Sequence, residues 1–409
     1  MAKTLSLGQA GYQLLEADAT LGSTVTTAMR GTTASRIFDV RNTRAGATIE
    51  NLSIGTDYLG TTTVNVYDAT TGLQANLGDG RDTLNLFGNA DAASIEMDAT
   101  DASVNGGADL LNAQKAFTNS LVTTGLGNDT IRVSGVADGS SFYMGDGNDS
   151  LYVAGASQGV YADGGDGSDF ITFVGSQTDA LAFGGEGNDS ITFTGGLTGT
   201  NPGLSAFEFG SAGIAAGAGN DTIVFGTTSS SSNFFVSTGD GVDVLQLNGS
   251  VSNAGIWLGG DNSTATAGRD SVSFGGTTFS GSSIASNNTL GDTVVFGASS
   301  AVDTSTFTMG SGSDSLVFGG SFNFSTIDLG LGADTLTFGT NSFVGSSIFN
   351  LGNDGSADVI SFLSGSAAYP DITITGADES DVLYIGSTQY GYVASTDSWV
   401  SGAETLKFS

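Results

Sequence analysis

The chain has 409 residues, of which 64 are glycine, and it contains neither cysteine nor histidine. Its 42 acidic and 10 basic residues leave a formal net charge of −32, which repels nucleic-acid phosphates and attracts cations. The lack of histidine excludes Ser-His-Asp triads and the usual zinc proteases, and the lack of cysteine excludes disulfides. Apolar residues make up 39% of the chain, which is enough to form a core. We therefore expect a folded, cation-binding protein with no catalytic residues and no nucleic-acid partner.

The amino-terminal segment, residues 1–70, differs from the rest of the chain. It holds five of the ten basic residues, namely Lys3, Arg30, Arg36, Arg41 and Arg44. No segment of the chain approaches the roughly 18 apolar residues of a membrane-spanning helix, and the start has no apolar run, so we expect neither a transmembrane segment nor a removable signal peptide. Because the open end of a repetitive sheet must be covered, we predict that residues 1–70 form a cap or docking region.

A glycine-rich acidic motif recurs from residue 71 onward. Asp129, Asp149, Asp169 and Asp189 follow one another at intervals of 20 residues, each after Gly-x-Gly and one small polar residue. Less regular copies of the motif surround further aspartates at intervals of 20 to 32 residues: Asp82, Asp109, Asp221, Asp243, Asp270, Asp292, Asp314, Asp334, Asp358 and Asp381. A repeat of this length is typical of a solenoid, in which one repeat forms one coil.

Each motif aspartate precedes a short stretch of alternating apolar and polar residues, which is the pattern of a half-buried β-strand. The predicted inward pairs are Leu84/Leu86, Ile131/Val133, Leu151/Val153, Ile171/Phe173, Ile191/Phe193, Ile223/Phe225, Leu245/Leu247, Val272/Phe274, Val294/Phe296, Leu316/Phe318, Leu336/Phe338 and Ile360/Phe362. A second alternation half a repeat later gives Phe142/Met144, Val160/Ala162, Leu181/Phe183, Phe207/Phe209, Ile256/Leu258, Phe307/Met309, Ile327/Leu329 and Ile372/Ile374. We expect the phenylalanines of the first set to stack in one internal column.

These patterns predict an all-β fold, a parallel β-solenoid over residues 71–385. One coil would contain two strands and about 20–22 residues, and about 14 coils would stack at a spacing of roughly 4.8 Å. The remaining residues, 386–409, would form the carboxy-terminal cap.

The acidic turn contains the residues that a calcium site requires. Ca²⁺ takes about six to eight oxygen ligands, and glycine adopts the φ > 0 conformations that turn backbone carbonyls inward. Aspartates repeated in register would lie about 4.8 Å apart, so their like charges need a divalent ion between them. We therefore predict several calcium ions, held by Asp82, Gly125, Gly127, Asp129, Gly145, Gly147, Asp149, Gly165, Gly167, Asp169, Gly185, Gly187, Asp189, Gly217, Gly219, Asp221, Gly239, Gly241, Asp243, Asp314 and Asp334.

The Gly-x-Gly-Asn-Asp-Ser/Thr-apolar motifs resemble the nonapeptide of the RTX (repeats-in-toxin) calcium-binding β-rolls. The resemblance covers roughly residues 76–385 and is strongest over 125–226. It implies that glycine-rich turns of successive coils clasp one calcium ion between them, and that residues 386–409 hold an uncleaved type I secretion signal. The chain departs from the family because only one turn of each coil is acidic, so we expect a single row of ions along one edge. The motifs around Asp292 and Asp358 also lack the full spacing.

Three classes of function remain open from the sequence. The chain is similar to RTX-containing bacterial surface-layer proteins, which implies an extracellular structural protein that assembles with itself, with a cell-surface polysaccharide as a further partner. A virion fibre or capsid decoration would share these features. A calcium-dependent adhesin is the second class. An ice-binding protein is disfavoured because no threonine occupies the position before the second motif glycine, and an enzyme because the few basic residues do not cluster.

Overall fold

A computed structural model describes residues 3–6, 12–17, 25–29, 36–42, 48–56, 60–98, 106–200, 212–227, 230–259, 268–287, 289–339, 344–363 and 372–408. Every regular element within these ranges is a β-strand. The chain forms two compact units, residues 1–195 and residues 196–409. Among the described residues there is no helix long and apolar enough to cross a membrane.

Unit 1 contains two main parallel sheets and a narrow third one. Sheet A consists of Lys3–Ser6, Val25–Met29, Leu52–Thr56, Gln74–Asn76, Ser94–Glu96, Leu121–Leu126, Ser141–Asp146, Tyr161–Asp166 and Leu181–Glu186. Sheet B consists of Tyr12–Ala17, Arg36–Asn42, Thr62–Val66, Thr83–Leu86, Leu110–Ala113, Thr130–Val133, Ser150–Val153, Phe170–Phe173 and Ser190–Phe193. Two-residue corner strands lie between a sheet B strand and the next sheet A strand, at Ile49–Glu50, Thr70–Thr71, Ala90–Asp91, Phe117–Thr118, Ser157–Gln158 and Gln177–Thr178.

Unit 2 has the same plan, and its sheets take the same names. Sheet A consists of Gly213–Ala218, Phe235–Ser237, Gly255–Leu258, Ser283–Ser286, Thr306–Thr308, Thr326–Asp328, Ile348–Asn350 and Thr373–Thr375. Sheet B consists of Thr222–Phe225, Val244–Leu247, Ser271–Phe274, Thr293–Phe296, Ser315–Phe318, Thr335–Phe338, Val359–Phe362 and Val382–Ile385. The corner strands are Leu197–Thr198, Ser230–Ser232, Ser250–Ser252, Thr278–Ser280, Ala301–Asp303, Ser321–Asn323 and Val344–Gly345.

The predicted parallel β-solenoid is therefore confirmed in each unit, with one addition. In most coils the turn after the sheet B strand contains a short corner strand, so such a coil has three strands rather than the predicted two. The corner strands span only two or three residues, which is too short for an alternation pattern to reveal them.

All twelve inward pairs predicted for sheet B are buried. In the second alternation, Leu181 and Phe183 are wrong, because Ala180 and Ala182 are the buried residues of that coil. Ile374 is half-buried rather than buried, and Phe207 and Phe209 lie outside the described residues.

The expected phenylalanine column is present within each unit. In unit 1 the ring centroids of Phe173 and Phe193 are 4.8 Å apart. In unit 2, Phe296 stacks on Phe318 at 5.1 Å with an interplanar angle of 14°, and Phe338 stacks on Phe362 at 5.1 Å and 10°. Offset stacking of this kind adds about 0.5–1.5 kcal/mol per pair to the burial of the rings, so the column favours strict coil-on-coil register.

The two ends of the chain differ in strand pairing. Parallel pairing continues across residue 70, since Leu52–Thr56 pairs with Gln74–Asn76 in the same sheet that contains Lys3–Ser6. At the other end, Val382–Ile385 pairs with an antiparallel meander of Thr388–Val393, Ser398–Ser401 and Glu404–Leu406. The side chains of Tyr390 and Trp399 in this meander are buried.

Candidate metal centre

The acidic turn joins the end of a sheet A strand to the start of the next sheet B strand. Its two glycines have backbone angles that other residues rarely adopt, with φ of 100° at Gly145 and 146° at Gly147. A Cβ atom on Gly147 would overlap the carbonyl oxygen of Gly127 in the preceding coil. The glycines are therefore required both for the turn conformation and for the close approach of successive turns. The predicted site glycines all share a positive φ: Gly125, Gly127, Gly145, Gly147, Gly165, Gly167, Gly185, Gly187, Gly217, Gly219, Gly239 and Gly241.

Within each unit, the motif aspartates form a ladder on the inner side of this turn. The backbone N–H of Asp129 donates a hydrogen bond to Oδ1 of Asp149 at 2.6 Å, and that of Asp149 donates to Oδ1 of Asp169 at 2.7 Å. Each carboxylate thus accepts from the equivalent residue one coil earlier. The same bond, at 2.5 to 2.9 Å, is accepted by Oδ1 of Asp82, Asp109, Asp129, Asp189, Asp243, Asp270, Asp292, Asp314, Asp334, Asp358 and Asp381.

The other amides of the turn have partners of their own. The N–H of Asn148 donates to Oδ1 of Asn128 at 2.8 Å, which is a ladder running in the opposite direction along the coils. The N–H of Gly127 donates to the carbonyl of Asp146 at 2.8 Å. Because these donors are already used, none of them is left over for the second oxygen of the motif carboxylate.

That second oxygen, Oδ2, is the distinctive atom of the turn. It is buried and has no hydrogen-bond partner in Asp82, Asp109, Asp129, Asp149, Asp169, Asp243, Asp314 and Asp334. At Asp169 the oxygen lies against Gly164, where an added Cβ atom would overlap both Asp169 Oδ2 and the carbonyl oxygen of Gly184. Carboxylate and backbone carbonyl oxygens therefore face the same small space. A buried anion without a donor is costly unless a proton or a cation neutralises it.

Burial consequently raises the pKa of the ladder carboxyls above the ordinary value of 3.8, because the charged form loses its water. The pKa becomes about 6 at Asp129, Asp169 and Asp334, about 7 at Asp82, Asp149 and Asp358, and about 8 at Asp109, Asp243 and Asp314. Neighbouring carboxylates of the ladder raise the pKa further at Asp149, while the N–H of Asp129 lowers it. Near neutral pH and without metal, the carboxyls with a pKa of about 8 would hold protons, whereas those with a pKa of about 6 would be ionised.

A second ladder, built from serine, provides an internal comparison. At the corner before sheet A, the N–H of Ser305 donates to Oγ of Ser325 at 3.0 Å, and that hydroxyl donates to the carbonyl of Asn323 at 2.7 Å. Ser120, Ser140, Ser282 and Ser347 make similar bonds. The hydroxyl both accepts and donates, so this neutral ladder is satisfied without an added ion. The acidic ladder makes the same hydrogen bond between coils, but its second carboxylate oxygen, as at Asp149, remains without a donor.

The ligands that a metal could use are mixed rather than purely acidic. Among the described residues, no group of three or more acidic side chains converges as a carboxylate-only site would require. An ion beside Oδ2 of Asp169 would meet that carboxylate oxygen and the carbonyl oxygen of Gly184. Such hard oxygen ligands suit Ca²⁺ better than zinc or copper.

Several residues of this site are absent from the predicted set. Their motifs are incomplete, yet they belong to the same ladder: Asp109, Asp270, Asp292, Asp358 and Asp381. Asp98 is also buried, at 9% exposure, and accepts the N–H of Leu126 at 2.9 Å. It lies level with Gly125, in the place of a motif glycine. The sequence gives no signal for Asp98, because the motif is interrupted there.

Comparison of the sequence with models of known protein families and with curated proteins found no match.

Proposed function

We propose that this chain is a calcium-stabilised extracellular structural protein that assembles with copies of itself into a surface layer, filament or sheath. The observation that supports this most directly is the row of buried Oδ2 atoms without donors, as at Asp129, Asp149 and Asp169. A row of divalent ions beside these oxygens would neutralise a carboxylate edge in a chain whose net charge is −32. The resemblance of the turns to RTX repeats points to the same ion.

Calcium binding and folding would be one process in such a protein. Two turns from successive coils form each site, so a site exists only when the coils are stacked. Without metal, the buried carboxylates oppose stacking through lost hydration and mutual repulsion. The chain would then remain unfolded at low calcium and fold at the roughly millimolar concentrations at which weak extracellular calcium modules are loaded. This coupling is the reason for proposing an extracellular location.

A structural role agrees with the repetitive fold and the composition of the chain. Its described residues are almost entirely repeat, and solenoids of this kind present long, regular surfaces rather than a single catalytic cleft. No histidine or cysteine is present to serve as base or nucleophile. Self-assembly, with a cell-surface polysaccharide as an anchoring partner, is the role we propose. A virion fibre would be built in the same way.

A calcium-dependent adhesin is the second candidate, and one observation favours it. On the outer face of sheet A in unit 1, Tyr161 lies between Tyr143 at 5.1 Å and Phe183 at 5.3 Å, and its hydroxyl donates to Asp163 at 3.3 Å. Tyr143 is 40% exposed. Aromatic rings beside a carboxylate can bind sugars. A glycan-array screen with the Tyr143→Ala variant as control would detect such binding.

Electron microscopy of the purified full chain tests the proposed assembly. We expect ordered sheets or filaments in about 2 mM calcium and an unfolded, dispersed chain in EGTA, with circular dichroism and light scattering measured on the same samples. Magnesium at equal concentration is the control, because it prefers a smaller, octahedral site with retained waters. A folded monomer that persists at high protein concentration in calcium would contradict the structural role while leaving calcium binding intact.

A further inference from the structure

The outer face of sheet B in unit 2 is an extended, regular surface. Eight consecutive parallel strands pair without a register slip, so their outward residues form two columns. We call this surface the neutral face, and its residues are Thr222, Val224, Val244, Gln246, Ser271, Ser273, Thr293, Val295, Ser315, Val317, Thr335, Thr337, Val359, Ser361, Val382 and Tyr384.

None of the side chains of the neutral face is charged. Charged residues make up 13% of the chain, so a surface of this size would be expected to carry about two of them. The corresponding face of sheet B in unit 1 does carry charges, including Arg41 and Arg132. Acids of unit 2 instead lie in other places, such as Asp240 in the acidic turn and Asp328 on sheet A. The neutral face thus carries no charge, whereas the outer face of sheet A in the same unit carries one, Asp328.

The side chains on this face are suited to packing against another protein. Most are valine, threonine or serine, which are short and lose little rotamer freedom when they are covered. All are half-buried or exposed, and Val295 is 38% exposed. Because the columns follow the coil spacing, every strand presents side chains at the same two positions, and most of these side chains are small. A surface of this kind can pack against a second flat sheet at about 10 Å, as the two sheets of a β-sandwich do.

We propose that the neutral face is the lateral contact through which one copy of this chain docks on a second copy. The proposal rests on the proposed self-assembly and names the surface that carries it. Eight strands of four residues cover a footprint of roughly 34 Å by 13 Å, or about 450 Å² on each copy. Two copies together would bury about 900 Å², which falls in the size class of weak, reversible interfaces. Repetition in a lattice would then supply the overall strength.

The proposed self-assembly makes a second copy the occupant, and charge favours the neutral face as the surface of contact. Two chains that each carry −32 repel one another, and only a surface without fixed charge lets them approach without burying like charges. A basic partner would be expected to meet acids, which this face lacks. The face is also self-complementary, because two uncharged columns with small side chains can interdigitate about a twofold axis.

Paired variants test this assignment. Thr293→Glu with Thr337→Glu places two carboxylates on the neutral face, and Thr306→Glu with Thr326→Glu places two on the outer face of sheet A in the same unit. In each pair one threonine is exposed and the other half-buried, so the controls are matched in charge and exposure. Analytical ultracentrifugation in calcium should show association of the neutral-face variant weakened by about 100-fold or more, because like charges would be buried at the contact. The sheet A variant should associate like the unaltered chain.

A complementation experiment guards against misfolding. The neutral-face variant with Thr293→Lys and Thr337→Lys should fail to associate alone but associate when mixed with the glutamate variant. Unchanged circular dichroism and melting temperature in calcium would show that both variants fold. Equal association of the neutral-face and sheet A variants, or no rescue on mixing, would overturn the proposal. If the unaltered chain itself remains monomeric, the proposed self-assembly fails as a whole, which is a different result.

Discussion

Replacing Asp149 by asparagine separates the two roles that the acidic ladder could have. Asparagine keeps an Oδ1 that accepts the N–H of Asp129, now bonded at 2.6 Å, so the link between coils remains. It replaces the buried, unpartnered Oδ2 by an uncharged amide. If the ladder only joined successive coils by hydrogen bonds, the substitution would leave the stability of the folded chain unchanged or raise it, with or without metal. If the ladder binds calcium, the sign of the effect must depend on the metal.

The magnitude without metal follows from the pKa of Asp149. Burial raises this pKa from 3.8 to about 7, so the folded state binds the proton more tightly than the unfolded state does. The folded state is therefore favoured below pH 3.8, and this contribution is lost as the pH rises through about 7. A pKa raised from 3.8 to about 7 corresponds to at most about 4 kcal/mol at pH 8. Asp149 itself is buried, but its turn neighbours Asp146 and Asn148 are exposed, so solvent screening reduces this to about 2 kcal/mol.

We therefore expect Asp149→Asn to stabilise the metal-free chain by about 2 kcal/mol at pH 8 and to destabilise the calcium-loaded chain by about 3 kcal/mol. Urea unfolding in EGTA and in calcium measures both values. If the metal-free chain is unfolded at pH 8, the quantity to measure is the pH at which half of the chains are folded. This pH should be higher for the variant than for the unaltered chain. Asp146→Asn removes the same charge from an exposed position of the same turn, and should change either value by no more than about 0.5 kcal/mol.

An effect of the same sign in EGTA and in calcium would refute the reasoning, because it would show that the second carboxylate oxygen has no cation to neutralise it.

Three further predictions follow from the same structure. In EGTA, where the chain is unfolded at pH 8, the folded fraction measured by circular dichroism should rise as the pH falls to 5, because the raised pKa values of the ladder carboxyls favour protonated, folded chains. In calcium the melting temperature should fall over the same pH range as protons displace the ion, and the same pH response in both conditions would contradict this. Gly147→Ala should destabilise the calcium-loaded chain by more than about 3 kcal/mol in urea unfolding, since a Cβ atom there overlaps Gly127, whereas Gly391→Ala, with no atom within 4 Å of the new methyl group, should cost under about 1 kcal/mol. Phe318→Ala should cost about 3–5 kcal/mol in the same assay, because the ring is fully buried between two other rings. Phe170 is 59% exposed, so Phe170→Ala should cost under about 1 kcal/mol, and similar values for the two variants would argue against the stacked column.

The architecture could be read from the sequence because one repeat both defines a coil and places its apolar residues. Alternation after each motif aspartate identified buried pairs such as Ile171/Phe173 correctly, since the side-chain period of a strand is two. The prediction for Leu181 and Phe183 was wrong because the hydrophobic alternation is reversed in this strand. The small residues Ala182 and Gly184 point inward, and the larger apolar residues point outward.

The candidate site was harder to predict than the fold. Its motif aspartates were named from the repeat, but the direction of their hydrogen bonds and the unpartnered Oδ2 depend on how one coil meets the next. The serine ladder was missed, although Ser305, Ser325 and Ser347 follow one another at intervals similar to those of the aspartates. Serine is common in this chain, so its spacing alone does not distinguish an internal ladder from a solvated surface.

A crystal structure of the full chain grown in calcium, with anomalous scattering data, tests the central claim most directly. The account predicts a row of calcium peaks along the acidic turn, each bonded to a motif carboxylate such as that of Asp149 and to glycine-turn carbonyls. A well-ordered turn at neutral pH with no peak beside Oδ2, and with the carboxyl groups protonated instead, would contradict it.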